Sequence, residues 1–152
     1  MIRRRSLLLV PAALVLTRCA APPPPPAVLE LAISAGPDIN PNVAGKPAAV
    51  AVRLFQLNAT AKFERADVFA LTERERATLG DDTAGSEEFV LSPGENRTIT
   101  RELKKGVQFI GIAVLFRDID HAKWRAMAPV AASGPSKLTL KLAGITATLA
   151  SA

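Results

Sequence analysis

The only cysteine of this 152-residue chain, Cys19, separates a short leading segment from a long remainder that can form no disulfide. The apolar run before it, residues 6–17, is shorter than the roughly 17 to 25 residues that a membrane-spanning helix needs. Five consecutive prolines, residues 22–26, follow the cysteine. The folded unit must therefore come from residues 28–152, the size of one ordinary domain, and only an apolar core can stabilise it.

The leading segment has the features of a bacterial lipoprotein signal. Three arginines precede an apolar stretch of secretory length, and Leu16-Thr17-Arg18-Cys19 resembles a lipobox, although a small residue usually stands where Arg18 is. This predicts a signal peptide over residues 1–18 and attachment of lipid to Cys19. Ala20, which is not Asp, favours delivery to the outer membrane rather than retention at the inner one. The alternative is an ordinary signal peptide with Cys19 incidental.

Residues 19–27 are predicted to be a lipidated tether. Several acyl chains on one cysteine would anchor the chain stably, whereas a single chain gives only marginal membrane binding. Polyproline is stiff and extended at about 3.1 Å per residue, so the five prolines would hold the domain about 15 Å from the membrane.

The charge of the chain argues against nucleic acid as a partner. The sequence has 19 Lys and Arg against 14 Asp and Glu, but four of the arginines lie within residues 1–18. The remainder has a net charge of about +1 and shows no basic patch of the kind that binds nucleic acid.

Alternating apolar and polar residues predict a mainly β fold, a sandwich of two sheets. Residues 29–33, 138–142 and 145–149 each place apolar side chains on one face of a strand. Residues 49–57 and 107–116 are apolar on both faces, as central strands covered on both sides are. Residues 88–91 and 97–103 flank Ser92-Pro93-Gly94-Glu95, which predicts a type II turn and a hairpin.

Residues 60–79 break the β pattern and predict two short helices, inserted after the second strand and lying over one end or edge of the sandwich. Thr72 and Glu75 have the spacing of a capping box, and Gly80 supplies a stop signal. An apolar stripe precedes the capping box and consists of Phe63, Ala66, Phe69 and Leu71.

Side chains suited to catalysis are sparse, and no catalytic residue, metal ligand or cofactor site is predicted. The chain has one histidine and no tyrosine. His121 with Asp118 and Asp120 has the composition of a metal site, but turn chemistry alone also explains such a segment. Trp124 is expected to cover the core from an edge strand, with a role as an interface anchor as the alternative.

The segment between the first two predicted strands, residues 36–47, is the best candidate for a binding site. Its twelve residues include three Pro, two Gly and two Asn, and it is longer than a hairpin connection needs. Prolines restrict the free loop, so a bound shape costs less to reach. Apart from Ile39 and Val43, few of its side chains suit a core. A plain crossover between the sheets is the alternative.

This loop and the following strand resemble the start of the TssJ family, the outer-membrane lipoproteins of the type VI secretion system. The similarity covers nearly the whole chain after Cys19, in order and at similar spacing, and depends on the series rather than on one motif. The matching segments are Asp38-Ile39-Asn40-Pro41-Asn42, Gly45-Lys46-Pro47, residues 52–57, 63–71, 88–91, 93–95, 116–118 and 123–125, and the paired final strands.

The resemblance implies a transthyretin-like β-sandwich with an added helical element and without catalysis or cofactor. It implies a lipid-anchored protein of the outer membrane that faces the periplasm. It also implies a partner, the periplasmic C-terminal region of a TssM-like inner-membrane protein, in a complex with a TssL-like protein. The loop after the first strand is implicated in that contact, here Pro37, Asp38, Ile39, Asn40, Pro41, Asn42, Val43 and Lys46.

The alternative function belongs to another class: a lipid-anchored, transthyretin-like carrier in the periplasm that holds a small ligand between its sheets. The inward positions disfavour it, because they are Leu, Ile, Val and Phe and offer no polar group to orient a ligand.

Overall fold

The computed structural model describes residues 18–152, so the predicted signal peptide lies, apart from Arg18, outside the described residues. The described chain is a sandwich of two four-stranded sheets with a helical insert after the second strand, which confirms the predicted fold class. The strands are β1 (Ala27–Ala35), β2 (Val50–Leu57), β3 (Thr83–Leu91), β4 (Asn96–Glu102), β5 (Phe109–Val114), β6 (Arg125–Pro129), β7 (Gly134–Ala143) and β8 (Thr146–Ser151). The helices are α1 (Ala61–Arg65), α2 (Val68–Glu73) and α3 (Glu75–Leu79), followed by a 3₁₀ turn (Gly80–Asp82). Within residues 18–152, no helix has the length and apolar character that crossing a membrane requires.

The first sheet has the strand order β4-β1-β7-β8 and the second has the order β3-β2-β5-β6. β1 lies inside the first sheet, antiparallel to β4 and parallel to β7. β2 and β5 are the two inner strands of the second sheet, which agrees with their apolar character on both faces.

The two sheets enclose one apolar core, and the faces predicted from alternation are confirmed. Leu29 and Leu31 of β1 and Leu140 of β7 are fully buried in one cluster with Val52 and Ile112 of the second sheet. Burying one such side chain contributes about 1.5–3 kcal/mol, so this cluster is the main source of stability.

The helical insert covers the outer face of the second sheet, which corrects the expected position over an end or edge. Phe63 of α1, Leu71 of α2 and Leu79 of α3 form a second buried cluster with Phe55 and Leu57 of β2. The physical reason is that β2 is apolar on both faces, and its outward face would otherwise meet water. The rings of Phe55 and Phe63 pack edge to face with centroids 5.4 Å apart.

The insert contains three α-helices rather than the expected two, and the predicted capping box is wrong. Asp67 caps α2 instead, because its Oδ1 accepts a hydrogen bond of 2.7 Å from the backbone N–H of Ala70. Thr72 lies inside α2, where its hydroxyl donates to the carbonyl of Val68 at 2.8 Å. Glu75 then begins α3 as a separate short helix.

The apolar stripe of the insert is confirmed except at one position. Phe63 and Leu71 are fully buried and Ala66 packs against them, but Phe69 is 56% exposed. Val68 takes the buried place beside it on α2. Gly80 ends α3 with φ +52°, as the sequence predicts.

The hairpin predicted around Pro93 and Gly94 is wrong, although its turn is confirmed. The backbone N–H of Glu95 donates to the carbonyl of Ser92 at 3.1 Å, and Gly94 has the positive φ, +75°, that a type II turn needs. However, β3 pairs with β2 and β4 pairs with β1, so this turn takes the chain from one sheet to the other. A β-turn reverses the chain direction but does not decide which strands pair. Here β3 pairs with β2 and β4 pairs with β1, so the two strands beside the turn do not pair with each other.

Trp124 precedes the edge strand β6 and packs against both apolar clusters, as expected of a residue that covers the core. The guanidinium of Arg125 lies 4.4 Å from the centroid of its ring. The same guanidinium donates to the carbonyls of Glu64 and Ala66. This contact joins the end of α1 to β6.

Candidate partner-docking loop

The two functional candidates, Cys19 and residues 36–47, are connected to opposite ends of β1, because the segment that contains Cys19 leads into its start and residues 36–47 follow its end. The end of the sandwich where β1 begins also contains residues 102–109 and 129–134, most of which line one groove with Pro24, Pro25 and Pro26. We call this the tether end. The opposite end, the loop end, contains residues 36–49, the turn 92–95, residues 115–124 and the turn 143–146. β1 has nine residues and connects the two ends, which at about 3.3 Å per residue places them about 30 Å apart.

Cys19 is exposed and precedes the prolines without regular secondary structure. The backbone N–H of Gly134 donates to the carbonyls of Pro25 and Pro26 at 3.3 and 3.2 Å. The last prolines therefore lie against the domain, and Cys19 is five residues from the first proline of the groove, Pro24.

The base of the loop is fixed to the first sheet. The N–H of Gly36 donates to the carbonyl of Leu142 at 2.8 Å, and the N–H of Asn40 donates to that of Gly144 at 3.0 Å. Ile39 is fully buried in the main core, and its carbonyl accepts a hydrogen bond of 3.1 Å from Ala48. The loop is therefore part of the packed domain at its base.

Asn40 joins three segments at this base. Its Nδ2 donates to the carbonyl of Ala49 at 2.9 Å, and its Oδ1 accepts a hydrogen bond of 2.8 Å from the backbone N–H of Arg117. It is 8% exposed and has a φ of +48°, a left-handed conformation that Asn tolerates better than most residues. Within residues 18–152, it is the one buried polar side chain.

The tip of the loop, residues 42–46, is closed by Asn42. The Oδ1 of Asn42 accepts hydrogen bonds from the N–H groups of Ala44 and Lys46 at 3.0 and 2.9 Å. Its backbone also bonds to Lys46 and Gly45, each at 2.8 Å. Gly45 has a φ of +79°, and Val43 at the apex is 92% exposed. The tip therefore has a defined shape that presents one apolar side chain to solvent.

The structure divides the eight candidate residues into two groups. Ile39 and Asn40 are buried and hold the loop in place. The others are accessible: Pro37, Asp38, Val43 and Lys46 are exposed, and Pro41 and Asn42 are half-buried.

A groove of about 470 Å³ separates the tip from the neighbouring loops. Pro41, Asn42 and Val43 line one side, and the other side consists of Arg117, Asp118, Gly144 and Ile145. Sequence reasoning did not assign Arg117 to the site. Arg117 lies close to the loop because its backbone N–H bonds to Asn40, which is 77 residues away in sequence. A local sequence pattern cannot predict a contact over that separation.

The Asp118–His121 segment is a turn beside this groove. Nδ1 of His121 is 2.7 Å from Oδ1 of Asp118, and both side chains are exposed. The hydrogen bond to Asp118, and next its charge, raise the pKa of His121, with a smaller contribution from Asp120. Within residues 18–152, no group of three or more His, Cys, Asp or Glu side chains is arranged to hold a metal ion.

Comparison with known proteins points to one family. The model of the type VI secretion lipoprotein family, described as VasD, EvfM and TssJ, matches residues 27–144. The T6SS lipoprotein TssJ1 from Pseudomonas aeruginosa is 35% identical, with a TM-score of 0.81 over 84% of this chain and 98% of that chain. No curated protein sequence matches significantly.

Two further structures contain similar chains. A chain of a structure described as "Type VI membrane complex" is 29% identical, with a TM-score of 0.70 over 81% of this chain and 97% of that chain. A chain of a structure described as "T6SS protein TssM C-terminal domain (869-1107) from EAEC" is 29% identical, with a TM-score of 0.69 over 80% of this chain and 99% of that chain. Because the family model spans most of the described residues and the TssJ1 fold matches nearly end to end, the chain belongs to the TssJ family of type VI secretion lipoproteins.

Proposed function

We propose that this chain is the structural outer-membrane lipoprotein of a type VI secretion membrane complex. Residues 1–18 are removed as a signal peptide, Cys19 is acylated, and the domain of residues 28–152 faces the periplasm. The loop 36–47 docks the periplasmic C-terminal region of a TssM-like inner-membrane protein, in a complex that also contains a TssL-like protein. The role is scaffolding, without a catalytic step.

The observation that most supports this proposal is the position of Cys19 and the loop relative to β1. Pro24, which lies against the domain, is five positions after Cys19 in the sequence, so the tether end stays within about 18 Å of a lipid-bound Cys19. The loop end then points away from that membrane. A partner rooted in the inner membrane approaches from this side.

The shape of the loop gives a second argument. Asn40 and Asn42 fix its base and tip by hydrogen bonds, so little conformational entropy is lost when a partner binds. Val43 at the apex is an exposed apolar side chain, and its burial by a partner would contribute favourable free energy to binding.

The comparisons support a partner of this kind. Chains similar to this one occur in structures described as a type VI membrane complex and as a TssM C-terminal domain. The carrier alternative has no comparable support, because a ligand between the sheets would have to displace apolar side chains such as Leu31, Leu54 and Leu140.

Two measurements test the proposal with the full chain. Cys19→Ser should move the protein from the membrane fraction to the soluble periplasmic fraction while the domain stays folded, because the lipid is the proposed anchor. A variant that stays in the membrane fraction would contradict the lipidation of Cys19.

The second measurement is calorimetry of the detergent-solubilised protein with the periplasmic C-terminal region of the TssM-like protein from the same organism. Val43→Ser should weaken binding at least tenfold, about 1.4 kcal/mol. Val90→Ser is the matched control, because Val90 is 55% exposed but lies on β3, outside the loop. Absence of binding by the unchanged protein would overturn the proposed partner, and equal effects of both variants would overturn the role of the loop.

A further inference from the structure

Large apolar side chains that are exposed concentrate near the loop end. Within residues 18–152 there are three: Val43, Phe69 and Val90. Val43 lies at the tip of the first loop, and Phe69 lies on α2, a different element. Phe63 and Leu71 are apolar because they pack in the buried cluster under the insert. Phe69 is outside that cluster and is 56% exposed, so packing of the insert does not account for its apolar side chain.

A second groove links Phe69 to the loop end. It has a volume of about 250 Å³ and is lined by Val68, Phe69 and Thr72 of α2 and by residues 115–117 and 119 after β5. Arg117 lines this groove and also the groove of about 470 Å³ beside Val43. The two grooves therefore lie on either side of Arg117, along a strip of surface that extends from Val43 to Phe69. We call it the Val43–Phe69 strip.

The charge of Arg117 is free for a partner. Its side chain is exposed and makes no ion pair or hydrogen bond with any of residues 18–152, whereas the guanidinium of Arg53 pairs with Glu75 and Glu88. The adjacent Asp118 forms its ion pair with His121 and not with Arg117, since its Oδ1 lies 2.7 Å from Nδ1 of His121.

The position of Arg117 is nevertheless fixed. Its backbone N–H is held by the side chain of the buried Asn40, so the middle of the strip is tied to the base of the loop. A guanidinium on a fixed backbone, with apolar groups on either side, is suited to a carboxylate that arrives between two apolar side chains. Arginine and aromatic residues are also the types most enriched among residues that dominate binding energy.

We propose that the Val43–Phe69 strip as a whole is the docking surface, and that its occupant is a segment of the same periplasmic partner which places a carboxylate on Arg117 and apolar side chains in the two grooves. This inference rests on the proposed function and enlarges its site. Phe69 and Arg117 are then binding residues in their own right, and the tip of the loop supplies only one end of the surface.

The test is calorimetry of the full-length, detergent-solubilised protein with the TssM-like periplasmic region, at two salt concentrations. Phe69→Ser and Arg117→Ala should each weaken binding at least tenfold. The salt dependence of the affinity should fall in Arg117→Ala, because an ion pair with the partner is lost. Arg117→Lys should recover part of the affinity, and Arg117→Glu should bind more weakly than Arg117→Ala.

Arg76→Ala and Val90→Ser are the matched controls, because Arg76 on α3 and Val90 on β3 are exposed residues of the same kinds outside both grooves. Unchanged thermal unfolding would show that Phe69→Ser and Arg117→Ala leave the domain folded. If both bind like the unchanged protein while Val43→Ser does not, the strip is wrong and the proposed function stands. If the unchanged protein does not bind, both are wrong.

Discussion

Asn40 and Arg117 are 77 residues apart in sequence and are joined by a hydrogen bond of 2.8 Å from the Arg117 backbone N–H to the Asn40 side-chain oxygen. The bond connects the loop after β1 to the segment after β5, and thereby one sheet of the sandwich to the other at the loop end. The geometry of the proposed docking surface therefore depends on Asn40, a residue that is itself buried.

Replacing Asn40 should destabilise the domain more than replacing Asn42, which is half-buried at the tip of the same loop. Asn40→Ala leaves the N–H of Arg117 and the carbonyl of Ala49 without their partner and places Ala at a positive φ, so we expect a loss of about 1–3 kcal/mol. Urea unfolding followed by the fluorescence of the sole tryptophan, Trp124, measures it. Asn42→Ala should change the unfolding free energy by about 0.5 kcal/mol or less. Equal losses would show that the base of the loop is not held by Asn40.

Gly111 on β5 should tolerate no side chain. A Cβ at this position would lie 2.9 Å from Cδ1 of Leu57 and 2.9 Å from Cζ of Phe63, closer than packed carbon atoms approach. Gly111→Ala should therefore cost about 1–3 kcal/mol by overpacking. Adding Phe63→Leu, which removes the ring beside Gly111, should make the double variant less unstable than the sum of the two single changes. Additive losses in denaturant unfolding would contradict this packing of α1 on the second sheet.

The register of β7 predicts opposite results at adjacent positions. Leu140 is fully buried, and Leu140→Ala should cost about 2–5 kcal/mol. Lys141 points to the exposed face of the first sheet, and Lys141→Ala should change stability by about 0.5 kcal/mol or less. Similar values for the two variants in chemical denaturation would mean that the strand faces are assigned wrongly.

His121 should titrate above its ordinary pKa of 6.5, because its hydrogen bond with Asp118 favours the charged imidazolium. Since the folded pKa is raised, the stabilising contribution of this pair is fully present below about pH 6.5 and is lost as the pH rises through the raised pKa. Because the chain has one histidine, NMR titration of its ring protons gives the pKa without ambiguity. Asp118→Asn should lower this pKa, and Asp120→Asn should lower it less. A larger shift from Asp120→Asn would contradict the observed geometry.

Sequence patterns succeed where one local property decides the structure. Alternation in β1 and β7 places Leu31 and Leu140 in the core, because a strand with one apolar face has only one way to bury it. Similarly, the Pro93-Gly94 pair identifies its turn, since the positive φ of Gly94 is a property of the turn alone.

The predictions from sequence are wrong where two residues could each cap a helix, where a strand has more than one possible partner, or where residues far apart in sequence come into contact. Thr72 and Glu75 have the spacing of a capping box, but Asp67 is the residue that caps α2. Since α2 begins directly after Asp67, Thr72 lies inside the helix. The strands beside Pro93 do not pair with each other because β1 and β2 are available as partners. For the candidate site, the loop is evident from its length and composition. The addition of Arg117 to that site depends on the bond to Asn40 and cannot be derived from either segment alone.

The parallel pairing of β1 with β7 sets the order in which the domain can fold. Ala27, at the start of β1, lies opposite Gly134, at the start of β7. The first sheet therefore cannot be completed before β7, the next-to-last strand of the domain, is available to pair with β1. Contacts of such long sequence separation form late, because loop closure must precede them. In a chain that is threaded through a membrane from its N-terminus, the sandwich cannot close until residues 134–143 have crossed, and we expect the polypeptide to remain competent for export until then.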